Sequence, residues 1–342
     1  MHGTIHLFDR LPKVDAAHAP VSTGSVPAAR AEPLVGLIYN PHSHRNDSSL
    51  IAGAELPNVI AAAPTRRDEL PGILADFAAR GVDYIAIDGG DGTVRDVLTC
   101  GASAYGDAWP ALLVLPSGKT NALAFDLGIA DDWTLDDAIR AAARGSAVMR
   151  RPLVVAQRDN ESAQVRGFVL GAGAYSEAIE LGQQAHSFGA FDALAVGVTA
   201  VWSGLQAIFG SSRNRWRRGT RMTLREPGGA ELAHSGGAPE TERYMVFAST
   251  LEKFPAGLRP FRKIAGRLRL ALFDNSRRSL MLRLPLIFRG HQSEKVQRLG
   301  FHTHALDAFD WDIGDSFILD GEAFPAGSYR VAAGQPLRFI VP

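Results

Sequence analysis

Along the first half of the chain, short apolar runs alternate with stretches whose apolar residues recur every three or four positions. Leu34 to Tyr39, Val59 to Ala63, Tyr84 to Ile87 and Leu112 to Leu115 read as buried strands. Between them, Asp68 to Arg80 carries Leu70, Ile73, Leu74 and Phe77 at helical spacing and closes at Gly81; Leu135 to Ala143 reads as a helix stopped by Gly145. This alternation predicts an α/β domain, residues 33–150, with a parallel sheet covered on both faces. After Arg151 the pattern shifts to many short runs separated by turns. These are Leu153 to Gln157, Gly167 to Leu170, Arg221 to Leu224, Tyr244 to Ala248, Arg267 to Phe273 and Ser279 to Arg283, then Val296 to Phe301, Phe309 to Ile313, Ser316 to Leu319 and Leu337 to Val341. Such spacing predicts an all-β second domain, a β-sandwich over residues 151–342. The extreme C-terminus is a candidate to return to the first domain. Residues 1–32 hold Pro12, Pro20 and Pro27 with no long apolar run, and are expected to form a flexible tail without a secretory signal.

Polar turns follow each of the four early strands: Asn40-Pro41-His42-Ser43, Thr65, Gly89-Gly90-Asp91-Gly92-Thr93 and Gly118-Lys119-Thr120-Asn121. In open α/β sheets ligands bind at this carboxyl edge. Taken singly, each could be a connecting turn; four on one edge are a stronger signal. The central one has strand–glycine–helix grammar, with Val94, Val97 and Leu98 at helical spacing. Glycines let a ligand approach the backbone, and the first N–H groups of the helix lack internal partners and favour an anion. Asp91 would repel a phosphate, so it is expected beside a metal ion or a hydroxyl proton.

Composition adds limits. The chain has 342 residues, with 36 Lys plus Arg balanced by 36 Asp plus Glu, so no global field points to nucleic acid. The single cysteine, Cys100, excludes an intramolecular disulfide framework and reads as a structural thiol. Phe188 to Gly210 is rich in apolar residues, carries the single charge Asp192 and reads as a helix packed on the sandwich. Arg213, Arg215, Arg217 and Arg218 around Trp216 follow it, suited either to anionic headgroups or to a solvated basic loop. His302 and His304 alternate on a strand without a third ligand and read as structural.

The order of Asn40-Pro41-X-Ser43, Gly89–Thr93, Leu115-Pro116-X-Gly118 with Asn121, Gly171-X-Gly173 and Asp320-Gly321-Glu322 resembles the diacylglycerol kinase catalytic-domain family, which includes bacterial lipid kinases and the ceramide and sphingosine kinases. The resemblance runs from about Leu34 to Pro342. It implies a Rossmann-like nucleotide domain followed by a β-sandwich. It also implies ATP and Mg²⁺, with nucleotide held by Asn40, Pro41, Ser43, Thr65, Gly89, Gly90, Gly92, Thr93, Arg95, Gly118, Lys119, Thr120 and Asn121. Glu322 corresponds to the family's proton acceptor, with Asp320 and Asp91 as further catalytic candidates and Asp91 beside ATP-bound Mg²⁺.

Four stretches depart from the family pattern. Arg95 and Asp96 stand for Asn and Glu after the glycine loop. Lys119 and Ala122 replace Thr and Asp in the second motif; a lysine suits phosphate as a point charge. His44 replaces Gly after Ser43, and Ala265-Gly266-Arg267-Leu268-Arg269 lacks the carboxylates of a structural Mg²⁺ site. The resulting expectation is an ATP-dependent lipid kinase acting on a diacylglycerol-type or ceramide/sphingoid-type hydroxyl. It is expected to be cytoplasmic and peripherally associated with the inner face of the membrane, without nucleic acid and with a homodimer left open. The alternatives are an NAD kinase-like enzyme and a non-catalytic lipid-binding regulator.

Overall fold

The computed structural model describes residues 10–14, 32–40, 55–119, 121–176, 218–261 and 264–342. In chain order the strands are β1 (Val35–Tyr39), β2 (Val59–Ala62), β3 (Tyr84–Gly89), β4 (Ala111–Pro116), β5 (Ala147–Arg150), β6 (Leu153–Gln157), β7 (Gln164–Gly167), β8 (Val169–Gly173), β9 (Thr220–Arg225), β10 (Glu242–Arg243), β11 (Met245–Ser249), β12 (Leu268–Phe273), β13 (Phe301–Leu306), β14 (Ala308–Ile313), β15 (Phe317–Leu319), β16 (Glu322–Phe324), β17 (Gly327–Ala333) and β18 (Leu337–Ile340). The helices are α1 (Leu70–Arg80), α2 (Asp91–Cys100), α3 (Ala102–Tyr105), α4 (Ala122–Leu127), α5 (Leu135–Ala143), α6 (Arg278–Met281), α7 (Leu284–Phe288) and α8 (Glu294–Arg298). The chain divides into two units. One is built within residues 12–152, 162–167 and 334–342, the other within 1–11, 153–161 and 168–333.

The α/β unit has one sheet of order β2-β1-β3-β4-β18-β5. Its strands run parallel except for β5, which pairs antiparallel with β18. Alternate residues define its two faces. Val35, Leu37, Ala86, Leu113 and Leu115 pack on Leu135, Ala138, Ala141 and Ala142 of α5. α5 starts with a capping box, in which Thr134 Oγ1 accepts the Asp137 amide at 3.2 Å and the Asp137 carboxylate accepts the Thr134 amide at 3.1 Å. On the opposite face, a Cβ on Gly36 would lie 2.5 Å from the Phe77 ring, so the glycine is what lets α1 sit this close to β1. α1 closes at Gly81 in the left-handed conformation. Part of the segment expected as a tail is held here. Lys13 bridges Ala163, the Val14 amide donates to the Ser162 carbonyl at 2.7 Å, and Val14 is buried.

The second unit is antiparallel throughout. One sheet runs β10-β9-β14-β17-β6 and the other β13-β12-β11-β8-β15-β16. Trp311 and Tyr329 on the first meet Phe317 on the second, with ring centroids 5.4 and 5.1 Å apart, and Phe324 stacks on Phe317 at 5.4 Å. These aromatics are fully buried between the sheets, which makes the unit a sandwich. β14 shows the rule strand by strand. Phe309, Trp311 and Ile313 point inward, while Asp310 and Asp312 point outward to Arg330, Arg225 and Arg158.

Two runs expected as strands are helical. Ser279 to Arg283 falls in and just after α6, and Val296 to Phe301 spans α8 and only the first residue of β13. Short apolar runs do not by themselves distinguish a strand from a buried helical turn. Here Leu280, Met281, Ile287 and Val296 are buried against Phe273 and Phe301 from helical turns. The segment Phe188 to Gly210 and the arginines before Arg218 lie outside the described residues.

Candidate functional site

Three of the polar turns converge at the carboxyl edge of the α/β sheet. Gly118 packs against the backbone of Gly90, so closely that a Cβ would lie 2.9 Å from the Gly90 nitrogen and nearer still to its Cα. The Asn40 amide N–H donates to the Asp88 carbonyl at 3.0 Å, and Asn40 Nδ2 lies 3.4 Å from Thr93 Oγ1. Gly89 is closed by the Thr93 side chain, whose Cβ would sit 2.5 Å from an added methyl. α2 then begins, and helix geometry leaves its first amides, at Asp91 and Gly92, without intrahelical acceptors. Gly92 is less crowded, the nearest atom to an added Cβ being the Arg95 guanidinium at 3.8 Å. Thr65 is engaged locally. Its hydroxyl and amide donate to Glu69 at 3.0 and 3.2 Å. Pro41, Ser43 and Thr120 lie outside the described residues.

The charged members of the turn differ from expectation. The Asp91 carboxylate accepts the Ala122 amide at 2.9 Å on one oxygen and the Leu123 amide at 3.1 Å on the other, so it caps α4. Burial pushes its carboxyl up to about 6, against the pull of those two amides and of Arg95. The folded state therefore holds this proton more tightly than the unfolded chain. The stability it contributes is fully present below the ordinary carboxylate range and is lost as pH rises through about 6. Arg95 is buried rather than open to a phosphate, and its Nε and Nη2 meet Asp96 Oδ1 at 3.1 and 3.0 Å. Lys119 is exposed at the tip of the second turn.

Asn121 Nδ2 donates to the Gly118 carbonyl at 3.1 Å, while its Oδ1 is buried and accepts no hydrogen bond among the described residues. That atom is an acceptor which a ligand N–H or O–H would satisfy. A pair missed by sequence reading lies beneath the turns: buried Asp88 accepts the Ser117 hydroxyl, and burial raises its carboxyl above the usual range. The available signal was a polar residue ending each of two apolar runs. Among the described residues no group of three or more His, Cys, Asp or Glu forms a metal site.

In the β-rich unit the carboxylates flanking Gly321 part company. Asp320 and Gly321 have φ of 46° and 83° and form the two-residue turn between β15 and β16, where Leu319 pairs with Glu322. The Asp320 carboxylate is turned onto β8, accepting the Phe168 amide at 3.0 Å and the Val169 amide at 2.9 Å. It is a backbone clamp, not a second carboxylate beside Glu322. Glu322 is half-buried at the start of β16. Asp320→Ala is expected to lower stability by about 1–3 kcal/mol, because two amides lose their acceptor and alanine is strained at positive φ. Thermal unfolding of the variant is the check, and an unchanged Tm would dismiss the clamp.

Gly171 of the Gly-X-Gly motif lies under Tyr175, whose Cε1 would be 2.6 Å from an added Cβ. Tyr175 continues into Phe247, Phe254 and Phe261. Beside Phe254 and Phe261 is a recess of about 380 Å³ that is also lined by Leu258, Pro260 and Ile264 and by the charged Glu252, Arg259 and Arg269. Ser235, His302 and Asp274 resemble a hydrolytic triad only in composition. Ser235 Oγ and Asp274 Oδ2 both approach the same ring nitrogen, at 2.9 and 3.1 Å, so the imidazole cannot relay a proton between them. The trio supports the buried Arg243–Asp274 ion pair and is structural.

The resemblance read from the motifs is borne out. Residues 35–150 match the family model described as diacylglycerol kinase catalytic domain. Curated proteins named "Probable lipid kinase YegS", from Shigella flexneri and Escherichia coli O1:K1 / APEC, are each 40% identical over 68 residues, 20% of this chain. The match spans 22% of the length of these relatives. A crystal structure of a diacylglycerol kinase from Bacillus anthracis str. Sterne superposes with a TM-score of 0.61 at 15% identity, covering 92% of this chain and 99% of that one. At that identity the likeness is one of fold, and it agrees with an α/β unit joined to a β-sandwich.

Proposed function

We propose, from the diacylglycerol kinase catalytic domain that residues 35–150 carry, that this chain is an ATP-dependent lipid kinase. The observation that carries the reading is the contact of Gly118 with Gly90, which joins two strand-end turns into one backbone cradle beside the α2 N-terminus. Such a cradle suits a triphosphate, with Lys119 as a mobile counter-charge and Asn121 Oδ1 as an acceptor for the nucleoside. Magnesium carried by ATP would neutralise phosphate charge, with Asp91 the residue to hold it through lone pairs not taken by α4. Glu322 would take the proton of the lipid hydroxyl, since an alcohol is a poor nucleophile until that proton has somewhere to go. The acceptor is of diacylglycerol or ceramide/sphingoid type, and the recess at Phe254 and Phe261, lined by five apolar residues together with Glu252, Arg259 and Arg269, is of a size for part of an acyl chain. On this reading the work is done at the inner face of a membrane, with peripheral association. Among the described residues no helix is long and apolar enough to cross one.

The engagement of Asp91 by α4 and of Arg95 by Asp96 favours a second reading, a lipid-binding regulator that binds nucleotide without turnover. Labelled ATP with micelles of diacylglycerol, ceramide or a sphingoid base, and with NAD as the soluble control, separates the two. The kinase reading expects label on a lipid hydroxyl. ATP binding with no labelled lipid supports the regulator, and label on NAD alone sinks both.

A further inference from the structure

We propose that α6, α7 and the Leu258–Arg259 corner form a surface that docks on an anionic lipid bilayer. From Lys253 to Gln292 the sequence has ten lysines and arginines against one carboxylate, Asp274. That carboxylate is buried and paired with Arg243, so it does not offset the charge outside. In a chain whose charges otherwise balance, this is a strong local excess.

The same stretch exposes leucines. Leu258, Leu282 and Leu286 are 44%, 61% and 49% exposed, and the other large apolar side chains exposed to this degree among the described residues are only Leu56, Phe125 and Met149. Leu282 follows α6 as its C-cap residue and Leu286 lies within α7, so both stand exposed on this short helical segment. The segment is fixed by Leu280, Met281 and Ile287, buried in the core around Phe273 and Phe301. The corner is stitched to this segment, because the Arg259 amide donates to the Phe288 carbonyl at 2.6 Å. Arg277, Arg278 and Arg289 are exposed along it.

Leucines standing out between arginines match the layered chemistry of a bilayer. Apolar tips enter the acyl boundary while long basic side chains reach anionic headgroups. A soluble polyanion would use the arginines but give the leucines no partner. That contrast selects the bilayer over nucleic acid or another purely polar polyanion.

The inference rests on the lipid-kinase reading only for its purpose, so binding is measured without nucleotide and turnover separately in detergent micelles. The full chain is sedimented with vesicles of phosphatidylcholine, alone or mixed with phosphatidylglycerol. Binding is expected on the mixed vesicles and only weakly on phosphatidylcholine. It is expected to fall about tenfold in Arg278→Gln/Arg289→Gln and by a similar factor in Leu282→Ser/Leu286→Ser. Circular dichroism verifies that both variants fold. No binding to mixed vesicles, or binding undiminished in either variant, overturns the proposal. Vesicle binding with no lipid phosphorylated in micelles would leave docking standing and remove the kinase reading.

Discussion

Glu322→Gln is expected to lower lipid phosphorylation by about 10²–10⁴-fold while leaving nucleotide affinity and thermal stability at parental values. The amide keeps the size of the side chain and its place at the start of β16, but it cannot accept a proton at any ordinary pH. The comparison with Asp320 sharpens the test. The two carboxylates are separated by one glycine, yet Asp320 is committed to the amides of Phe168 and Val169. Damage at Asp320 should therefore appear as lowered Tm, and damage at Glu322 as lowered kcat with intact folding. Steady-state rates at saturating ATP, with nucleotide affinity by calorimetry, read this out. A Glu322→Gln protein turning over at the parental rate would take Glu322 out of the chemistry.

Gly118→Ala is expected to reduce nucleotide affinity at least tenfold and to cost about 1–3 kcal/mol of stability through overpacking. The added methyl meets Gly90 backbone, which cannot swing aside as a flexible side chain would. The two turns must part, and the backbone groups they present part with them. Gly92→Ala separates this from ligand exclusion. Its methyl has no neighbour closer than 3.8 Å, so the fold should be untouched, and a loss of nucleotide binding there would report a ligand close to that backbone. Calorimetric titration with ATP settles both, and parental affinity in a folded Gly118→Ala protein would discard the cradle.

The sequence made visible what is local. The strand–glycine–helix passage through Tyr84 to Leu98 follows from periodicity and glycine placement, and so does the helix Leu135–Ala143 with its stop at Gly145. What stayed hidden is carried by groups without side-chain identity. Asp91 is satisfied by backbone amides of residues 122 and 123, and Asp320 by those of residues 168 and 169, and no residue type at those positions announces an amide waiting for an acceptor. Arg95 reads as a phosphate ligand because it stands at a motif position just after the glycine loop; its burial beside Asp96 depends on how α2 packs. The apolar runs at Ser279 and Val296 were too short for periodicity to distinguish strand from helix, and β16 is only three residues long.

The turn at Asp320 and Gly321 has a consequence for inheritance as well as for structure. Because side chains alternate along a strand, the parity of the hairpin loop decides which face each residue of β16 occupies. With two residues in the loop, Glu322 lies opposite Leu319, and Phe324 opposite Phe317. One inserted residue would exchange the sides, sending the carboxylate where Ala323 now sits and pulling Phe324 out of its stack. Few other one-residue changes would displace both the proposed base and a core aromatic together. Insertions and deletions should therefore be purged from this loop far more strictly than its exposure alone would suggest, even where amino-acid replacements are tolerated.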